Sequence, residues 1–103
     1  MIFEWDESKR TINIERHKLD LIDGQMLFDG RPVISYPSPR HGELRTVTVG
    51  LISAKFYAVV WTERGNAMRL ISFRRARRGE ETVYQARFGG ADGGDARRRR
   101  KPE

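Results

Sequence analysis

The apolar residues of this chain change their spacing after Asp29-Gly30, and this change constrains the fold more than any other feature of the sequence. Ahead of that turn signal the pattern is helical, and after it apolar and polar residues alternate as far as Arg74. From Ala76 to Tyr84 the spacing is helical again. Helices, then a sheet, then a helix within 103 residues predict one α+β domain.

Two short helices are predicted ahead of the sheet. Residues 1–5, which precede them, are interpreted as the end of a strand or as a cap. Asp6 is a typical N-cap for a helix from Glu7 to about His17. Asp20 stands in the same position ahead of the second helix. Gly24 weakens this second helix, and a close approach of the helix to the sheet would explain the glycine.

Four strands are predicted, at residues 32–36, 44–52, 56–63 and 67–74. The first is expected at a sheet edge, and 56–63 in the centre because it is more continuously apolar. Gly65-Asn66 predicts a hairpin turn, so the last three strands are expected to form an antiparallel meander. Strict alternation along the last strand would place Arg69, Ile71, Phe73 and Arg75 on one face and Met68, Leu70, Ser72 and Arg74 on the other.

The chain is basic, and the positive charge is concentrated in one part of it. Its net charge is +6 and its isoelectric point is near 10.3. Residues 1–29 hold four Lys or Arg against seven Asp or Glu, whereas residues 64–87 hold seven Arg against two Glu. Such a basic balance in a small domain is typical of nucleic-acid binding, with solubility or attraction to a membrane surface as alternatives. The Gly- and Arg-rich residues 89–103 predict a disordered basic tail after a domain at residues 1–88.

Several classes of protein do not fit the composition. There is no cysteine, which excludes disulfides, thiol nucleophiles and zinc-finger-type sites. The two histidines, His17 and His41, lack nearby acidic pairs, and there is no glycine-rich phosphate loop or dinucleotide fingerprint. We therefore expect neither a metal nor another cofactor. No membrane span or secretory signal is recognisable, so a cytoplasmic protein without a membrane partner is expected.

The candidate site is a set of arginines on or beside the predicted strands, because guanidinium groups bind phosphate oxygens in a two-pronged manner. The members are Arg45, Arg64, Arg69, Arg74 and Arg75. The alternative is that they solvate one face of the sheet or pair with acidic neighbours. On the first helix, polar side chains recur at a spacing that stacks them on one face. These are Lys9, Asn13, Arg16 and His17.

Cleavage of RNA without a metal requires cations that stabilise charge on the phosphoryl oxygens and a group that transfers protons. Spacing alone does not choose among the available proton-transfer groups, which are His17, Glu63, Glu80, Glu81 and Tyr84. Tyr84 is also the best candidate for stacking on a base, since Phe56, Trp61 and Phe73 are expected in the core. The catalytic candidates are Arg45, Glu63, Arg64, Arg69, Arg74 and Tyr84. The RNA-binding candidates are Lys9, His17, Arg75 and Arg77.

The order of residues in two segments resembles the BrnT family of toxins. The first segment contains Phe3-Glu4-Trp5-Asp6, Lys9, Asn13, Arg16-His17 and Phe28-Asp29. The second contains Val60-Trp61-Thr62-Glu63-Arg64, Arg69, Ile71-Ser72, Arg74-Arg75-Ala76, Glu81 and Tyr84. Together they span residues 2–85. The sequence departs from the family pattern at Arg16-His17-Lys18, where Lys-His-Gly is usual, and at Gly24, where alanine is common.

This resemblance implies a RelE-like fold, with two N-terminal helices, an antiparallel sheet and a C-terminal helix. It also implies a ribonuclease toxin that blocks translation and is neutralised by a cognate BrnA-like antitoxin with a ribbon–helix–helix domain. In such systems the complex binds operator DNA through the antitoxin and represses its own operon. Two alternatives remain: a non-catalytic corepressor that binds nucleic acid, and a RelE-like inhibitor of gyrase.

Overall fold

The computed structural model describes residues 1–89, so the predicted tail lies outside the described residues except for Gly89. The elements follow one another as β1 (Ile2–Glu4), α1 (Glu7–His17), a 3₁₀ helix (Leu21–Phe28), β2 (Val33–Pro37), β3 (Thr46–Ile52), β4 (Lys55–Arg64), β5 (Ala67–Arg75) and α2 (Arg78–Phe88). The prediction of an α+β domain is thereby confirmed. Among the described residues, no helix is both long enough and apolar enough to cross a membrane.

The five strands form one sheet in the order β1-β5-β4-β3-β2. Strands β2 to β5 pair antiparallel with their neighbours in the chain, as predicted, and β2 lies at an edge. The prediction of a purely antiparallel meander is wrong, because β1 pairs parallel with β5 and makes the sheet mixed. A strand of three residues is too short to show alternation, and its partner is more than sixty residues away in the chain.

The two N-terminal helices begin where the sequence predicts. The Asp6 carboxylate accepts a hydrogen bond from the backbone N–H of Ser8 at 2.8 Å, and Asp20 accepts one from Ile22 at 3.3 Å. The second helix is of the 3₁₀ type. A Cβ atom on Gly24 would lie 2.8 Å from Cγ2 of Val59 on β4, so the predicted close approach to the sheet is confirmed.

Each face of the sheet carries its own core. On one face the 3₁₀ helix contributes to a buried cluster of Leu21, Leu27, Val59, Leu70 and Phe73. On the other face α2 contributes Tyr84 to a second cluster with Val47, Val49, Phe56 and Ala58. The second face is therefore covered at one end by α2, while its remaining part borders an open groove.

A β-bulge changes the faces of β5. Val60 pairs with Ser72 but Trp61 pairs with Leu70, so Ile71 is an extra residue in β5. Leu70 and Phe73 consequently share one core, whereas Ile71 and Ser72 both line the groove. The strict alternation predicted for this strand is therefore wrong, since an extra residue reverses the direction of every side chain beyond it.

Candidate functional site

A groove of about 810 Å³ lies between α1, the partly covered face of the sheet, the loop after β2 and the start of α2. One side is formed by Lys9, Ile12, Asn13, Arg16 and His17 of α1. These positions follow a spacing of three or four residues, so they lie along one face of the helix. The polar face predicted for this helix is confirmed, and it faces the groove.

Asn13 holds α1 against the sheet. Its side-chain amide accepts a hydrogen bond from the backbone N–H of Phe73 at 2.9 Å and donates one to the Phe73 carbonyl at 2.8 Å. The same amide donates to the Leu19 carbonyl at 2.8 Å, beyond the end of the helix. The residue is buried, with 4% of its surface exposed, and every polar atom of its side chain has a partner.

The loop after β2 brings two arginines to the groove. Arg40 and Glu43 pair through their backbones at 2.9 and 2.8 Å, which tightens the loop around Gly42. Gly42 has a φ of 78°, a conformation that glycine adopts without steric cost. The Nε of Arg45 donates to the Glu43 carboxylate at 2.8 Å. Arg40 and Arg45 thereby line the groove opposite α1.

The deepest cation of the groove is Arg74 on β5, which is held by a buried carboxylate. Its two terminal nitrogens donate to the two oxygens of Glu80 at 2.8 and 2.9 Å. The Tyr36 hydroxyl and the Arg77 backbone N–H also donate to Glu80. Burial opposes the charge on Glu80, but these hydrogen bonds outweigh it and lower the pKa of the carboxyl to about 2.

The groove carries a surplus of positive charge. Arg45 and Arg74 each face a carboxylate, Glu43 and Glu80 respectively. Within residues 1–89, the side chains of four other groove cations form no ion pair: Lys9, Arg16, Arg40 and Arg77. A surplus of positive charge on a concave surface favours a polyanionic ligand.

His17 is the titratable group with the ordinary pKa nearest neutrality in this groove. Burial lowers the pKa of its imidazole, and the positive charges of Arg16 and Arg74 lower it further. The imidazole is therefore neutral at pH 7 and able to accept a proton. The prediction named His17 among the RNA-binding candidates and among the proton-transfer groups, and the structure places it beside the cations.

The structure brings five of the ten predicted site residues to the groove. These are Lys9, His17, Arg45, Arg74 and Arg77. The other five do not line it: Glu63, Arg64, Arg69, Arg75 and Tyr84. The predicted arginine set is therefore divided: Arg45 and Arg74 line the groove, whereas Arg64, Arg69 and Arg75 do not.

Of the three predicted arginines that lie outside the groove, Arg69 and Arg75 have partners of their own. Arg69 donates to Glu4 of β1 at 2.9 Å, across the parallel strand pair that the sequence did not predict. Arg75 donates to the Phe56 carbonyl at 3.1 Å and lies over the ring of Tyr57. Arg64 is exposed at the end of β4, and its neighbour Glu63 lines a separate, mostly apolar depression.

Tyr84 lies in the core and not at the surface where a base would stack. It is 5% exposed and packs edge-on against Phe56, with ring centroids 5.3 Å apart. Its hydroxyl donates to the Pro32 carbonyl at 3.3 Å, and burial raises the pKa of the phenol. The side chain therefore stabilises the contact of α2 with the sheet.

Among the groove residues that were absent from the predicted site are Arg16, Arg40 and Tyr36. Arg16 follows Lys9 by seven residues and shared the predicted polar face, so its helical spacing was a usable signal. Arg40 lies in a loop and Tyr36 on an edge strand, and neither has a periodic pattern that links it to α1.

Comparison with protein-family models gives a match over residues 5–80 to the family described as "Ribonuclease toxin, BrnT, of type II toxin-antitoxin system". The matched range begins ahead of α1 and ends at Glu80, so it includes every residue that lines the groove. A search of curated proteins finds no match. In the described part of the chain, no group of three or more His, Cys, Asp or Glu side chains is placed to hold a metal ion.

Proposed function

The chain belongs to the BrnT family of ribonuclease toxins of type II toxin–antitoxin systems, and we propose that the groove beside α1 is where it cleaves RNA. A single observation carries this proposal. A histidine whose pKa is lowered lies in the same groove as four cations that form no ion pair within residues 1–89. A neutral imidazole and a cluster of phosphate-binding cations are the two parts that RNA cleavage by internal transfer requires.

In the proposed reaction, the imidazole of His17 takes the proton of a ribose 2′-hydroxyl. The 2′-oxygen then bonds to the adjacent phosphorus, the bond from phosphorus to the 5′-oxygen breaks, and solvent in the open groove protonates that oxygen. The products are a 2′,3′-cyclic phosphate and a free 5′-hydroxyl. Negative charge that develops on the phosphoryl oxygens is stabilised by Arg74 and the other groove cations, so the step uses no metal ion.

Lys9, Arg16, Arg40 and Arg77 bind the phosphates of the flanking nucleotides in this proposal. Arg45 and Arg74, which are oriented by Glu43 and Glu80, face the reacting phosphate. Arginines held by carboxylates lose little conformational freedom on binding, and preorganised charge is the largest contribution to many enzymatic rate enhancements.

The test is cleavage of a purified chimeric oligonucleotide that has a single ribose, in the presence of EDTA. The wild-type protein is expected to produce a 2′,3′-cyclic phosphate. His17→Asn is expected to lower kcat about a hundredfold or more. His41→Asn is the matched control, because His41 lies outside the groove and asparagine accepts its left-handed backbone. Equal rates for the two variants would remove His17 from the mechanism, and intact RNA at micromolar protein would refute the proposal.

The family implies an antitoxin partner. We propose further that this partner is BrnA-like, with a ribbon–helix–helix domain that carries the complex to operator DNA. RNA cleavage in the cytoplasm then stops translation when the antitoxin is lost. Growth arrest on induction with no change in RNA would favour inhibition of another target such as gyrase. The RelE-like character of the fold stays a prediction, supported by the succession of two N-terminal helices, the antiparallel strands β2 to β5 and a C-terminal helix.

A further inference from the structure

We propose that Asn13 is a positioning residue for RNA cleavage. Its amide pairs with the backbone N–H and C=O of Phe73 and thereby positions His17 beside Arg74. The inference rests on the proposed function of the groove. Asn13 borders the groove but contributes no charge and no titratable group to it, since its buried amide is hydrogen-bonded to the backbone of Phe73 and Leu19.

The amide of Asn13 replaces a missing strand at the edge of β5. The parallel partner β1 pairs with β5 only from Ala67 to Arg69. Further along the same strand, the N–H and C=O of Phe73 are satisfied by the Asn13 side chain, at 2.9 and 2.8 Å. This geometry requires a donor and an acceptor on one short side chain, and among the short side chains only asparagine carries an N–H donor together with a carbonyl acceptor.

This contact fixes the register of α1 relative to the groove wall. His17 and Lys9 lie one turn after and one turn before Asn13, on the same face of the helix. Phe73 stands between Ser72 and Arg74, both of which line the groove. The two hydrogen bonds therefore connect the helix that carries the proton acceptor directly to the strand that carries the deepest cation.

The pKa of His17 depends on this placement of α1 against β5. Three causes lower it: burial, Arg16 on its own helix, and Arg74 on β5. The other charged groups that line the groove are Lys9 on α1, Arg40 and Arg45 on the loop after β2, and Arg77 ahead of α2. Glu80 pairs with Arg74 and accepts a hydrogen bond from the Tyr36 hydroxyl. Loss of the Asn13 contact would let α1 move away from β5, so burial and the effect of Arg74 would decrease while that of Arg16 would stay.

The first test is an NMR titration of the His17 imidazole, which requires no RNA. We expect Asn13→Ala and Asn13→Ser to raise this pKa toward its ordinary value by about half a pH unit or more. Val49→Ala is the matched control: it removes packing from the core under α2 and lies outside the groove. It is expected to destabilise the protein without moving the pKa of His17. The His17→Asn variant assigns the signal.

The second test measures cleavage by the same variants at temperatures where each is folded. We expect kcat to fall about tenfold or more in the Asn13 variants, since a displacement of about 1 Å lowers rates severely. KM is expected to rise by a smaller factor than kcat falls, because only two of the four phosphate-binding cations, Lys9 and Arg16, lie on α1. The acid limb of the pH–rate profile is expected to move to higher pH. In Val49→Ala neither kcat nor the profile is expected to change.

If the pKa of His17 is unchanged in the folded Asn13 variants, the proposal that Asn13 positions His17 is overturned. Failure of both variants to fold would overturn it too, since Asn13 would then serve folding alone. A shifted pKa in protein that leaves RNA intact would refute the proposed function but uphold the positioning.

Discussion

The guanidinium of Arg74 and the carboxylate of Glu80 form a two-pronged ion pair, at 2.8 and 2.9 Å, in which 11% and 7% of the respective side chains are exposed. The pair joins β5 to the first turn of α2 and directs Arg74 along the groove. A buried ion pair contributes modestly to stability while intact, but removal of one partner leaves an uncompensated buried charge.

Glu80→Gln is therefore expected to lower the free energy of unfolding by about 3 kcal/mol. Urea denaturation at pH 7 measures this value. Glu81→Gln is the matched control, since Glu81 lies next to Glu80 in the same turn of α2 and forms no ion pair within the described residues. We expect the control to lose less than about 1 kcal/mol. Similar losses for both variants would argue against a structural ion pair.

The stability that Glu80 supplies is expected to disappear in acid. Its pKa is about 2 in the folded protein against an ordinary value of 4.5, so its contribution is complete above about pH 4.5 and is lost as the pH falls through about 2. The shift corresponds to about 3 kcal/mol. Urea midpoints of wild type and Glu80→Gln, measured from pH 6 to pH 2, should converge at the acid end. A difference that stays constant over this range would show that protonation of Glu80 is not the cause.

Arg77→Ala is expected to weaken RNA binding and to reduce its dependence on salt. Each phosphate contact with a single strand changes the slope of log K against log salt by about 0.7, so loss of one cation should flatten the slope by that amount. Fluorescence anisotropy in the His17→Asn background measures binding without cleavage. Arg78→Ala removes the same charge one residue away and outside the groove. If both variants flatten the slope equally, the groove does not select the phosphates.

Tyr84→Phe is expected to leave the cleavage rate unchanged. The lost hydroxyl makes one hydrogen bond of 3.3 Å to a carbonyl, so the free energy of unfolding should fall by about 1 kcal/mol or less. Thermal unfolding and single-turnover cleavage measure the two quantities. A drop in rate of about a hundredfold, with folding preserved, would restore Tyr84 as a proton-transfer group.

Gly24→Ala and Gly79→Ala are expected to change stability in opposite directions. A Cβ on Gly24 would meet Val59 at 2.8 Å, and overpacking of this kind costs about 1–3 kcal/mol. A Cβ on Gly79 would meet no atom within 4 Å, so alanine there should stabilise α2 by up to about 1 kcal/mol. Urea denaturation of the two variants compares them directly. Equal effects would contradict the packing of the 3₁₀ helix against β4.

Local patterns predicted much of the fold, because the signals act over a few residues. Asp6 and Asp20 cap their helices as expected, and the four antiparallel strands lie within two residues of their predicted bounds. Gly24 predicted a close helix–sheet contact, although the sequence did not identify Val59 as the partner. The β1–β5 pairing and the bulge at Ile71 were missed, since both depend on contacts between distant segments.

Of the five predicted residues that line the groove, two could be placed there by a local pattern. The helical spacing of Lys9 and His17 was sufficient to place them on one face of α1. The spacing of the strand arginines did not indicate which of them would lie in the groove. The sequence pattern around an arginine on an amphipathic strand is the same whether its guanidinium faces a groove, as in Arg74, or pairs with a neighbouring strand, as in Arg69.

Residue types at short spacing are enough to predict the helices, the four antiparallel strands, the helix caps, the basic balance and the family. Contacts in three dimensions determine which cations share a groove, which of them pair with carboxylates, and why the pKa of His17 is lowered beside Arg74. Burial and electrostatic interaction depend on distance in space, and the contacts that set those distances, such as Asn13 with Phe73, join residues sixty positions apart.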